Sequence, residues 1–149
     1  MLKRKSIRDF EEKWEYAQPE AGAQIRVNRR MYYHHGIYTG DSVIHFGEGD
    51  PAADMLHSEN NIVHETSLKD FLQGGLLQVR VYSRGEKKLL NPPEKIVECA
   101  RSMLGEGGYH FVRNNCEHFS NYCAFSEKYS AQAEAHIQDI RQRIKNVSE

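Results

Sequence analysis

The segment from residue 30 to residue 49, RMYYHHGIYTGDSVIHFGEG, constrains the fold more than any other part of the chain. Aromatic and β-branched residues, which favour strands, lie on both sides of TGDS, a sequence typical of a tight turn. A two-residue turn at Gly40 and Asp41 predicts a β-hairpin that pairs Tyr38 with Val43. The chain is therefore expected to contain an antiparallel sheet.

The register of this hairpin brings two histidines together. It pairs Gly36 with His45 and, one step further, His34 with Gly47. Because side chains alternate between the two faces of a strand, His34 and His45 share one face as diagonal neighbours. The same alternation directs His35 to the opposite face.

Sequence periodicity predicts the remaining elements. Strand patterns occur at 23–29, at the start of 61–75 and at 76–83, and the composition of 49–60 is typical of a loop. A turn of helix capped by Thr66 or Ser67 follows the strand in 61–75. Longer helices are predicted at 6–17, with Ser6 and Asp9 resembling a capping box, at 91–108 with Asn91 as cap, at 114–125, and at 130–149.

The predicted C-terminal helix has a narrow apolar seam. Ile137, Ile140, Ile144 and Val147 recur at helical spacing, so they lie along one side of it. Packing of this seam against the domain is the default expectation. A dimer contact and a membrane contact are the alternatives.

Composition excludes several classes of function. The chain has 149 residues and a net charge of −1, which indicates one domain and no general attraction to nucleic acid. No apolar stretch approaches the roughly 20 residues needed to span a bilayer. The three cysteines are an odd number without paired spacing, so we interpret them as reduced thiols in a cytoplasmic protein.

Cys116 is the candidate reactive group. It follows Asn114 and Asn115 at the start of a predicted helix, and a helix N-terminus or a nearby histidine lowers the pKa of a thiol. With the two hairpin histidines it would complete a Cys-His-His arrangement, although a cysteine in this position is also a common core residue. The spacing of these residues does not suit a metal, and we predict no metal and no cofactor.

Two sequence blocks resemble the lecithin:retinol acyltransferase-like family, also called H-box/NC proteins. They are HHGIY followed by VIHF, and NNCEHF, in the order typical of that family. The family is a circularly permuted branch of the NlpC/papain-like superfamily. The resemblance implies an α+β fold of the permuted papain-like type, with an antiparallel sheet packed against helices; the amphipathic helices at both ends are predicted from periodicity. It divides the single domain, 1–149, into an N-terminal helix (1–19), an acyltransferase-like core (20–126) and a C-terminal helix (127–149).

The resemblance also implies roles for individual residues. Cys116 corresponds to the nucleophile that carries an acyl group as a thioester, His34 to the general base, and His45 to a second histidine that orients the first. His35 stands where the family usually has tryptophan or tyrosine. His118 lies in the motif but is expected to be structural, as is the neighbouring Glu117.

The implied function is a thiol-dependent acyltransferase or hydrolase, with phospholipid or another lipid acyl ester as the favoured donor. Peripheral contact with membranes is a further expectation, and the oligomeric state is left open. The alternatives are an NlpC-like cysteine amidase or peptidase, and a non-catalytic interaction module that keeps the fold.

Overall fold

The computed structural model describes residues 5–48, 61–110 and 114–148. Its centre is a six-stranded sheet with the strand order β1-β6-β2-β3-β4-β5, in which every pair of neighbours is antiparallel. The strands are β1 (Lys13–Glu15), β2 (Gln24–Asn28), β3 (Tyr33–Tyr38), β4 (Val43–Phe46), β5 (Val63–Thr66) and β6 (Gln78–Val81). The predicted loop at 49–60 lies outside the described residues.

Helices cover both faces of the sheet. In the described parts of the chain they are α1 (Leu68–Leu72), α2 (Arg84–Leu89), α3 (Pro93–Ser102), α4 (Cys116–Phe125) and α5 (Ala131–Ser148). The larger core joins the sheet to α3 and α4 through residues such as Ile37, Ile44 and Phe119. A smaller core on the other face packs Phe71 of α1 against Ile25 and other β2 and β4 residues. The predicted α+β fold with an antiparallel sheet is confirmed.

The hairpin register is confirmed, with one informative difference. Tyr38 pairs with Val43 and Gly36 pairs with His45, as the two-residue turn requires. The ladder ends there, and the expected pair between His34 and Gly47 does not form. The first three residues of β3 therefore extend beyond β4 and need other partners for their backbone groups.

The prediction of a helix at 6–17 is wrong. The capping box of Ser6 and Asp9 is present, but it starts only a single 3-10 turn, Ile7–Asp9, and the chain then enters β1. Trp14 pairs with Arg80 of β6, and its ring lies 4.3 Å from the Arg26 guanidinium. These contacts with distant residues outweigh the local helical periodicity, which is a weak preference.

One helix cap differs from expectation, and one helix was not predicted. Asn91 does not cap α3, whose N-cap is Pro92. Its side-chain amide donates instead to the Cys123 carbonyl of α4 at 3.2 Å. The sequence analysis missed α2, although Ser83 and Glu86 form a capping box at its start.

The C-terminal helix packs on the domain only at its beginning. Ala133 is buried, whereas Ile140, Ile144 and Val147 are exposed. The default expectation that the whole seam packs on the domain is therefore wrong beyond the first turns of α5. No helix in the described ranges is both long and apolar enough to cross a bilayer.

A buried ion pair ties β6 to α2. The Arg80 guanidinium donates to Glu86 at 2.6 Å, and both side chains are almost completely buried. Arg80 also donates to Asn121 Oδ1 at 3.1 Å, which connects the pair to α4. Because a buried charge without its partner is strongly unfavourable, the pair fixes the positions of these three elements.

Replacing Arg80 should therefore be costly. Arg80→Met leaves the Glu86 carboxylate buried and unpaired, and we expect the free energy of unfolding to fall by about 3–5 kcal/mol. Urea unfolding measures it. The matched control is Arg101→Met, which removes a partly exposed pair with Glu65 and should cost less than about 1 kcal/mol. Equal losses in the two variants would contradict this account.

Candidate active site

Cys116 is the first residue of α4, and a closed capping arrangement fixes that start. Asn115 is the N-cap, and its Oδ1 accepts hydrogen bonds from the Glu117 amide at 2.9 Å and from the His118 amide at 3.1 Å. In return, His118 Nδ1 accepts from the Asn115 amide at 3.0 Å. The helix thus begins at the candidate nucleophile, and His118 holds the helix start.

The Cys116 sulfur lies against the part of β3 that extends beyond β4. It accepts a hydrogen bond from the His35 amide at 3.5 Å and donates to the Tyr33 carbonyl at 3.8 Å. These two backbone groups flank His34 in the chain. Cys116 is 0% exposed, and its sulfur contacts main-chain groups of this strand.

The start of α5 covers the same stretch of strand. Gln132 accepts from the Tyr33 amide at 2.6 Å and donates to the Tyr33 carbonyl at 3.2 Å. Glu117, buried beside Cys116 in the chain, accepts from Ser130 Oγ at 2.7 Å and from the main-chain N–H of Gln132 at 3.1 Å. The sequence analysis missed Gln132, because a polar residue in a predicted amphipathic helix carries no sign of such a contact.

His34 and His45 are in direct contact. His34 Nε2 and His45 Nδ1 are 2.8 Å apart, and His45 Nε2 is 3.0 Å from Thr66 Oγ1. The Thr66 hydroxyl donates to the Ser67 carbonyl at 3.2 Å, and in this arrangement it accepts from His45 Nε2. The sequence analysis proposed Thr66 or Ser67 as a helix cap, of which Ser67 is the N-cap of α1, and did not anticipate the contact of Thr66 with His45.

This arrangement of hydrogen bonds assigns one tautomer to each ring. With its proton on Nε2, His45 has an unprotonated Nδ1 that accepts from His34 Nε2–H. In the neutral His34 ring, Nδ1 is then also unprotonated, and it has no hydrogen-bond partner although it is buried. His34 therefore presents an unused proton acceptor.

The histidine pair is packed in an apolar setting. The Phe71 ring lies 5.2 Å from both imidazoles, measured between ring centroids. Gly36 makes this approach possible, because a Cβ there would come within 3.0 Å of Phe71 and 2.7 Å of Val43. Burial lowers the pKa of His34 well below its usual value and lowers the pKa of His45 to about 3. Both rings are neutral at physiological pH.

His35 has a different environment from His34. It points to the opposite face, as predicted, where its ring meets Trp14 edge-on at 5.5 Å. Its Nε2 lies 3.6 Å from a carboxylate oxygen of Glu117, beyond hydrogen-bond distance. Burial lowers the pKa of His35 to about 3, so this contact involves a neutral ring.

The other two thiols are less suited to chemistry. Cys123 is fully buried in the core between the sheet and α4, and burial raises the pKa of its thiol. Cys99 is partly buried and packs against the same core. Both serve packing. The Cys116 sulfur, in contrast, contacts β3, the strand that carries His34.

The antiparallel sheet carries a buried histidine pair, and a cysteine begins α4, the helix that packs on this sheet. This combination is that of a permuted papain-like domain. Comparison of the sequence with family models gives a match to the lecithin retinol acyltransferase family over residues 17–129. The chain belongs to this family. The match includes both the hairpin and the first residues of α4.

Individual relatives are distant. The chain is 24% identical over 139 residues to lecithin retinol acyltransferase of Bos taurus, covering 80% of this chain and 60% of the relative. The same protein of Rattus norvegicus is 27% identical over 146 residues, with coverages of 84% and 62%. Human phospholipase A and acyltransferase 1 is 30% identical over 131 residues, with coverages of 82% and 77%. The chain thus spans about 60% of the length of the lecithin retinol acyltransferases that it matches.

The buried histidines predict acid sensitivity of the fold. His35 and His45 have pKa values near 3 in the fold, and that of His34 is also lowered, so each gains a proton on unfolding below its usual pKa of 6.5. The unfolded state then binds more protons, and the free energy of unfolding should fall as the pH drops from about 6.5 towards 3.

Urea unfolding at a series of pH values measures this loss, in which each such group contributes up to about 1.4 kcal/mol per pH unit. His35→Gln should make the dependence shallower by one proton. A stability that is constant between about pH 7 and 5 would show that these rings are not buried in the neutral form.

Proposed function

We propose that this protein is a thiol-dependent acyltransferase or acyl hydrolase that works through a thioester on Cys116. The observation that carries the proposal is the unpartnered Nδ1 of His34. It belongs to the residue whose flanking main-chain groups contact the Cys116 sulfur. A general base needs such a lone pair within reach of the thiol proton, and the main chain on either side of His34 already contacts the sulfur.

The first half-reaction attaches the acyl group. His34 Nδ1 takes the proton from Cys116 Sγ, and the thiolate attacks the ester carbonyl carbon to give a tetrahedral oxyanion. The imidazolium then returns this proton to the leaving alkoxide oxygen as the C–O bond breaks. The products are a free alcohol, such as a lysolipid, and an acyl thioester on Cys116.

The second half-reaction releases the acyl group. An acceptor hydroxyl, amine or water gives its proton to His34 Nδ1 while its oxygen or nitrogen attacks the thioester carbon. The thiolate leaves and regains the proton from His34. Water as acceptor gives a fatty acid, and another acceptor gives a transferred acyl group, so one site supports both hydrolase and transferase activity.

His45 and Thr66 are assigned positioning roles. They keep the proton of His34 on Nε2, which leaves Nδ1 free for the thiol. When His34 becomes an imidazolium, its Nε2–H remains directed at the lone pair of His45. A helix N-terminus and the His35 amide stabilise the negative charge on sulfur in the same step.

Lipid esters are the proposed donors. The support is the identity of the relatives, which are lecithin retinol acyltransferases and a phospholipase A and acyltransferase. Peripheral action at a membrane follows from such a substrate, because phospholipid esters reside in bilayers. An amide substrate would use the same residues. Comparing the turnover of a lipid ester with that of a small amide distinguishes the two substrates.

Incubation with phospholipid vesicles should add one fatty acyl mass to the protein at Cys116 and release lysolipid. Intact mass spectrometry with peptide mapping measures it. Cys116→Ala should abolish the adduct, whereas Cys99→Ser, which removes a partly buried thiol outside the site, should keep it.

His34→Gln should lower the rate of acylation by at least about 10²-fold, because the general base is lost. His118→Asn should mainly reduce stability, since His118 closes the helix cap. Adduct formation on Cys99, or full activity of His34→Gln, would contradict the proposal. Turnover of a small amide without turnover of lipid would replace the lipid ester by an amide substrate.

Thr66→Val offers a sharper test of the hydrogen-bond chain. Valine has nearly the same shape but no oxygen to accept from His45 Nε2, so the tautomers are no longer fixed. We expect kcat/KM to fall by about tenfold, with the fold unchanged and with a change in its pH profile. Thr66→Ser keeps the hydroxyl and should retain activity. A fully active Thr66→Val would exclude this role.

A further inference from the structure

The turn between β2 and β3 presents an apolar side chain close to the candidate active site. Met31 is 87% exposed at this turn and lies two residues before Tyr33, whose carbonyl contacts the Cys116 sulfur at 3.8 Å. The preceding residue, Arg30, is exposed and adopts a left-handed backbone with φ of 72°. Such a conformation is unfavourable for arginine, so the surrounding contacts must hold it.

Hydrogen bonds hold this turn in one shape. The Arg30 amide donates to Asn28 Oδ1 at 2.8 Å, and the Arg29 amide donates to the Tyr32 carbonyl at 2.8 Å. The Met31 amide donates to the Arg29 carbonyl at 2.9 Å. Met31 is therefore displayed by an ordered turn with its backbone groups bonded.

Arg29 connects this turn to a second exposed apolar residue. Its guanidinium donates to the Leu72 carbonyl at 2.9 Å and to the Phe71 carbonyl, which lie at the end of α1. The segment that follows α1 brings Leu76 to the surface, where it is 71% exposed. Leu76 and Tyr33 line one surface depression of about 240 Å³. The second apolar residue thus also adjoins the strand that contacts the thiol.

We infer that Met31, Arg30 and Leu76 form a docking surface for a phospholipid bilayer. This inference rests on the proposed function and specifies where the substrate surface meets the protein. Single large apolar side chains on ordered turns suit insertion among acyl chains. An exposed arginine beside them is complementary to lipid phosphates and contributes its apolar stem as well. Docking here would bring lipid esters to the strand that contacts the buried Cys116.

The exposed seam of α5 provides an internal comparison. Val147 is 87% exposed, the same fraction as Met31, but it lies near the far end of α5. Nothing among the described residues shows what covers that seam. Val147→Asp therefore makes the same kind of change at equal exposure, on a different element.

Vesicle binding tests the docking surface without requiring acyl transfer. In a Cys116→Ala background, flotation with zwitterionic vesicles and with vesicles containing an anionic phospholipid measures the partition coefficient. Met31→Asp and Leu76→Asp should each lower it by about tenfold, because an apolar contact is replaced by a charge. Met31→Leu should keep it. Arg30→Gln should reduce only the preference for anionic vesicles.

The controls separate this inference from the proposed function. Val147→Asp should bind within about twofold of the parent, and thermal unfolding should show that all variants fold. Unchanged binding of Met31→Asp, or an equal loss in Val147→Asp, would overturn the docking surface. If the Cys116→Ala protein binds vesicles through Met31 but the protein with Cys116 intact never forms an acyl-enzyme, the docking surface stands and the enzyme proposal fails. If the protein with Cys116 intact is acylated by a monomeric short-chain ester but the Cys116→Ala protein does not bind vesicles, the reverse holds.

Discussion

The site depends on a strand that is longer than its neighbour. β3 continues for three residues beyond the ladder with β4, and buried main-chain groups must find partners. The Cys116 sulfur and the Gln132 side chain supply those partners at residues 33 and 35. Satisfying the strand edge therefore also places the thiol beside the residue that carries the unpartnered imidazole nitrogen. The contacts that satisfy the backbone groups of the strand are thus the same contacts that place the thiol.

The same sheet gives its histidines two different environments through the alternation of side chains. His34 and His45 lie on the face that α1 covers, where burial keeps them neutral and Thr66 sets the direction of their protons. His35 lies on the other face between Trp14 and Glu117. Adjacent residues of one strand thus differ in environment: His34 joins a chain of hydrogen bonds with His45 and Thr66, and His35 packs between Trp14 and Glu117.

Sequence patterns predicted the features that depend on residues close together in the chain. The hairpin register follows from the turn and the two-residue period, and the start of α4 follows from Asn115 as N-cap. Thr66 and Gln132 escaped prediction because their partners lie 21 and 99 residues away. The expected N-terminal helix failed for the same reason: Trp14 is held by residues of β2, β3 and β6. Catalytic assignments for Cys116, His34 and His45 came from the family resemblance and remain predictions.

Burial of the histidine pair raises a question about the proposed general base, because a ring that resists protonation from solvent is a poor acceptor on its own. The proposed proton transfer from Cys116 to His34 differs from such a titration, since it would move a proton between two buried groups and leave the net charge unchanged. The cost of burial applies to an isolated imidazolium, whereas in the proposed mechanism the thiolate formed in the same step compensates its charge. The His35 amide and the helix N-terminus favour the charge on sulfur, and His45 favours the charge on the ring. The apolar setting therefore suppresses protonation of His34 from solvent and remains compatible with the proposed transfer from Cys116.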